Sequence, residues 1–171
     1  MAAGATYTPI ATTTASGSTT SVTFSSIPTT YTDLIIIGHL KWVTAGQTCY
    51  MQVGNGSVDT GNKYSLTVLT GNGTSATSTR RSATANGLFA QYANIGSASN
   101  YGTDIVQILN YSNTTTYKTW LTRSNDADQT VEAGVCLFQS TVAIDTIKIY
   151  TTGVNNIASG STFTIYGVTA A

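Results

Sequence analysis

Few residues in this chain have chemistry to offer. The single histidine, His39, sits in the apolar stretch Ile37-Gly38-His39-Leu40. A nucleophile, base and acid must lie within hydrogen-bond reach of one another to work together. The acid nearest in sequence is Asp33, and six residues of extended chain put it roughly 20 Å from His39. His39 is therefore read as a structural or surface residue. The one acidic cluster is Asp126, Asp128 and Glu132. Two carboxylates could serve a glycosidase. Alternate acids followed by Glu faintly suggest a calcium loop, but the glycine and spacing of such a loop are missing. A solvated turn between two strands is the expected role, ahead of a weak cation site and of catalysis. Cys49 and Cys136 with one distant histidine do not supply the three or four closely spaced ligands of zinc. They are expected as two free, buried thiols, since a disulfide would require their strands to abut.

Gly71-Asn72-Gly73 opens no helix and carries no lysine, so it is a turn and not a phosphate loop. Arg80-Arg81 is too small a patch for nucleic acid and is expected on a solvated loop. Aromatic side chains could form a sugar platform, having a flat apolar face and a polar tip. Trp42, Trp120 and Tyr117 are the candidate interface or ligand aromatics. For either tryptophan, core packing or a subunit interface stands ahead of ligand contact. The residues assemble no catalytic, metal or cofactor site, and no enzyme activity is expected.

What remains must be carried by the scaffold. At 171 residues the chain fits one domain, residues 1–171, with short tails at both ends. Charged residues make up 8%, against about 25% in ordinary soluble domains. Ser and Thr supply the polarity instead, at about 30% of the chain. Regular Val, Ile, Tyr and Phe argue against disorder, and with Thr they suit a pleated surface. The formal net charge is zero, which gives no footprint for nucleic acid or an anionic membrane. A near-neutral surface also repels neighbouring copies little. The start, Met1-Ala2-Ala3-Gly4, has no basic, apolar leader. The longest apolar run, Leu34 to Ile37, falls far short of the ~20 residues that span a bilayer.

Along the chain, strand-like segments alternate with turns. They run over 22–24, 31–43, 48–53, 64–70, 88–95, 103–111, 117–123, 131–139, 144–150 and 163–168. Ile144, Ile147 and Ile149 show the period of a strand with one buried face. Residues 71–87 are expected as a long exposed loop. About nine or ten strands at this spacing predict an all-β, two-sheet antiparallel sandwich, jelly-roll-like in order.

Three stretches resemble a family of phage virion proteins of marine and cyanobacterial phages. The first runs from Tyr7-Thr8-Pro9-Ile10 to Val22-Thr23-Phe24-Ser25-Ser26-Ile27-Pro28 and on through Tyr31-Thr32-Asp33-Leu34-Ile35-Ile36. The second is Val53-Gly54-Asn55-Gly56 through Asn62-Lys63-Tyr64, with Gly54 where the family usually has Phe. The third joins Ala143-Ile144-Asp145-Thr146-Ile147-Lys148-Ile149 to Phe163-Thr164-Ile165-Tyr166-Gly167-Val168. Residues 71–100 match nothing in it. The resemblance implies a jelly-roll-like sandwich, often trimeric, used in capsid decoration, fibres or tail tips. It transfers no functional residues. The resulting expectation is a capsid decoration (cement) protein, assembled in the host cytoplasm and resident in the virion. Its partners would be its own copies, as a homotrimer, and the major capsid protein or tail proteins. The alternative is a tail- or fibre-associated domain that binds host glycans. Edge strands of such a low-charge sandwich must be paired or protected, and contact with neighbouring copies in a ring would do so.

Overall fold

The computed structural model describes residues 6–44, 48–90, 100–126, 129–152 and 156–169. These form thirteen strands and no helix. They are β1 (Tyr7–Thr14), β2 (Ser21–Phe24), β3 (Asp33–Leu40), β4 (Cys49–Asn55), β5 (Ser57–Val58), β6 (Tyr64–Gly71) and β7 (Ala76–Thr84). Then follow β8 (Gly87–Ala90), β9 (Gly102–Leu109), β10 (Lys118–Asp126), β11 (Thr130–Phe138), β12 (Thr146–Thr151) and β13 (Thr162–Val168). Every pairing is antiparallel. The larger sheet has the order β1-β13-β3-β9-β10-β11-β6-β7, and the smaller β2-β12-β4-β5 with β8 also on β4.

Four strands of each sheet carry the jelly-roll order: β1-β13-β3-β9 faces β2-β12-β4-β8. Two inserted hairpins then widen the first sheet. One, β6–β7, lies between β4 and β8 in the chain, and the other, β10–β11, between β9 and β12. The strand-like segments of the sequence each correspond to a strand, that over 88–95 as far as Ala90 because residues 91–95 lie outside the described residues, and β1, β5 and β7 are additional. Residues 71–87 are not a long loop. Nine of them form β7, paired to β6 along its length. The extended backbone there was hidden because side chains on both faces are exposed, so apolar alternation is absent.

One hydrophobic cluster fills the space between the sheets, and both tryptophans belong to it. Trp42 is 1% and Trp120 0% exposed, so neither is a contact surface for a ligand or a partner. Trp120 is held from both sheets: its Nε1 donates to the Leu88 carbonyl at 2.9 Å, and its ring meets Tyr64 edge-on. Phe89 of β8 packs on Phe163 of β13, with ring centroids 5.9 Å apart. Lys118 is buried on the inner face of β10, where its ammonium donates to the Thr116 and Thr141 carbonyls.

Tyr64 ties the β5 turn to the core. Its hydroxyl donates to the Asp59 carbonyl at 2.8 Å and accepts from the Val53 amide at 3.1 Å. Tyr64→Phe removes these bonds and strands buried backbone groups, so it is expected to cost about 1–3 kcal/mol. Urea unfolding of the two proteins measures this directly.

Candidate functional site

The sequence-selected polar residues do not converge. His39 is exposed on the outer face of β3 and stacks on Tyr101, with centroids 4.5 Å apart and planes 17° apart. Lys41 Nζ lies 5.1 Å from the centre of the same ring. Asp33, at the other end of β3, accepts the Asn110 amide instead. Tyr117 is 56% exposed at the start of β10. Tyr101 precedes β9, at the opposite end of the β9–β10 pair. Tyr101 and Tyr117 therefore form no shared platform.

The acidic cluster differs from its expected solvated turn. Asp128 lies outside the described residues. Asp126 and Glu132 are each 3% exposed, on the inner face of the larger sheet. Glu132 accepts the Thr70 hydroxyl at 3.2 Å. Ser124 pairs across the sheet with Glu132 on one side and with Asp104 on the other. Asp104, which the sequence did not single out, is fully buried. Among the described residues, neither its carboxylate oxygens nor the Ser124 hydroxyl has a hydrogen-bond partner of good geometry. Burial pushes its pKa up to about 7, and the neighbouring Ser124 hydroxyl pulls weakly the other way. No group of three or more His, Cys, Asp or Glu side chains among the described residues is placed to hold a metal.

Cys49 and Cys136 are free and buried. Burial pushes the Cys136 thiol up to about 12. The Cys49 thiol is also raised, by burial first and then by the charge of nearby Asp104. Thiolate, not thiol, is the nucleophile. Neither cysteine is expected to react with a thiol reagent such as DTNB at pH 8 in the native protein, and both should react in guanidinium. Rapid native labelling of either one would contradict this placement.

The feature left is a surface. In the larger sheet, residues alternate between the core and an outer face, and that outer face is apolar at its centre. Leu121 pairs with Val135, and Arg123 stands between Ile105 and Ala133. Ile105 continues to Ile37, and Ala133 to Leu69. Val131 is 62%, Leu69 58% and Leu121 48% exposed. A shallow hollow runs along Ile105, Gln107, Leu121, Arg123 and Ala133. The outer face of the smaller sheet is different in kind. Its central cross-strand row is Thr23, Lys148 and Gln52, with Tyr50 packed on Tyr150 beside it.

Together these features define a β-sandwich of jelly-roll order with one apolar outer face and one polar one. No protein-family model matches the chain, and no curated protein matches it.

Proposed function

We propose that this chain is a structural accessory protein of a bacteriophage particle, a capsid decoration (cement) protein in the virion. The observation that carries this reading is the outer face of the larger sheet. It holds five large apolar side chains in water, Ile37, Leu69, Leu121, Val131 and Val135. Such a face is unfavourable for a free monomer and suits a protein that works by contact. The three stretches that resemble phage virion proteins give the setting, and the jelly-roll strand order agrees with them. Binding would rest on shape and apolar area, and no bond need be made or broken. The receptor-binding alternative draws less support, because Tyr101 is already engaged by His39 and Lys41 and Tyr117 lies at the other end of the sheet.

The test is co-sedimentation of the purified protein with capsids that lack it and, separately, with host cells. Saturable capsid binding at a stoichiometry set by the lattice is expected. Binding to cells alone would replace this reading with the receptor-binding one.

A further inference from the structure

We propose that the buried polar row at one end of the larger sheet, Asp104, Ser124 and Glu132, is a binding site for a hard divalent cation, calcium before magnesium. This goes beyond the decoration reading and does not rest on it. Its basis is a carboxylate that the chain itself leaves without a counter-charge.

Asp104 of β9, Ser124 of β10 and Glu132 of β11 are cross-strand neighbours, and all three side chains enter the core. Asp104 is fully buried, and neither its carboxylate oxygens nor the Ser124 hydroxyl has a hydrogen-bond partner of good geometry among the described residues. Buried charges are paired or coordinate metals, because an isolated carboxylate loses its hydration with nothing in return. The chain supplies no pairing cation here. Of its seven basic residues, Lys118 alone is buried, and it lies at the opposite end of β10, bonded to the Thr116 and Thr141 carbonyls. On its other flank Asp104 pairs with Gly38, and the Phe89 ring lies against that glycine. Apolar surface therefore closes the row on that side.

The row fits such an ion in reach and in chemistry. Neighbouring strands are about 4.8 Å apart, so β9 and β11 stand about 10 Å apart with Ser124 midway. An ion above Ser124 lies between the two carboxylates, and calcium binds oxygens at about 2.3–2.6 Å in an adaptable geometry. Two carboxylates and a hydroxyl fall short of a full shell, and water completes it, as it usually does for magnesium. Oxygen donors select hard ions over zinc or copper. Cys49, whose thiol is raised by burial and then by the Asp104 charge, stays protonated and adds no soft ligand. A polar way in exists. One pleat beyond the row, Asp126 lines a hollow at the sheet end together with Asn72, Asn125 and Gln129.

Thermal unfolding of the chelator-treated full chain at pH 8, with calcium, magnesium or sodium chloride at matched ionic strength, tests this. Equilibrium dialysis against radioactive calcium counts the ions bound. At pH 8 most of the Asp104 proton is gone, since burial raises its carboxyl only to about 7. One calcium per chain is expected, with a Tm about 3–6 °C higher at ten times the Kd and a smaller rise with magnesium. Asp104→Asn should abolish both the rise and the bound ion, and Ser124→Ala should weaken binding about tenfold. Asp59→Asn, at an acid already paired with Lys63, should change neither. Circular dichroism checks that each variant is folded. No bound calcium and no rise with either divalent ion would overturn the proposal and leave Asp104 a buried acid that holds only a proton. A rise that persists in Asp104→Asn would place the ion elsewhere and overturn it equally.

Discussion

Replacing Gly87 with alanine is expected to destabilise the protein by about 3 kcal/mol or more, at the upper end of what overpacking a core costs. A Cβ at this position would sit 2.1 Å from Cζ2 and 2.7 Å from Cη2 of Trp120. The indole has nowhere to go. It is fully buried, and its Nε1 is fixed to the carbonyl of the very next residue, Leu88. Gly167 provides the comparison, since a Cβ there would lie 2.3 Å from the Tyr31 ring. Tyr31 is only half-buried and can swing toward solvent, so Gly167→Ala should cost less, about 1–2 kcal/mol. Urea unfolding should therefore rank Gly87→Ala well below Gly167→Ala in stability. The double variant Gly87→Ala/Trp120→Phe should recover part of the loss, because the smaller ring vacates the space. Strict additivity of the two substitutions would show that the close approach is not the cause.

The second large effect concerns Asp104 and runs in the opposite direction. Its carboxyl is raised by burial from 3.8 to about 7. Between about pH 4 and 7 the unfolded chain has released this proton while the folded chain keeps it. Stability therefore falls as pH rises through that window and levels off above about 7. At 1.36 kcal/mol per unit, the full difference is worth about 4 kcal/mol. Asp104→Asn removes the ionisation. Relative to its effect at pH 4, the substitution is expected to add up to about 4 kcal/mol at pH 8. Denaturant titrations of both proteins at pH 4, 6 and 8 give the difference. Because only the change with pH is compared, the cost of burying an amide in place of a carboxyl cancels. A constant difference across the three pH values would mean that Asp104 titrates alike in both states.

Asp104 also shows where reading a sequence stops. In Thr103-Asp104-Ile105-Val106-Gln107-Ile108 the β-branched content marks a strand. Which set of side chains enters the core is less plain, because Ile105 and Asp104 belong to the unexpected faces. Ile105 is outside with Thr103 and Gln107, while Asp104 goes inside with Val106 and Ile108. The same inversion occurs in β10, where Leu121 faces out and Ser124 faces in. Those two strands build much of both the apolar outer face and the buried polar row. Both features were therefore invisible until the sheets were placed against each other. In Lys118-Thr119-Trp120 alternation puts Trp120 on the same face as Lys118, but alternation cannot say that this face, with a lysine on it, is the core.

Strand type was a local property, and the residues themselves determined it. β-branched and aromatic side chains recurring every second residue fit a pleat and no helix, wherever the strand later lies. The turns at Gly54-Asn55-Gly56 and Gly71-Asn72-Gly73 were legible for the same reason: Gly56 and Gly73 take positive φ, which glycine adopts at little cost. Only the tertiary structure decided the edges and the faces. β7 is a strand because β6 supplies its hydrogen bonds, not because its side chains demand it. Asp104 is buried because the strands around it are in register, and Val131, Leu121 and Leu69 are exposed for the same reason. Pairing partners and register are set by contacts between segments distant in sequence, and a period of two is satisfied equally well by either phase.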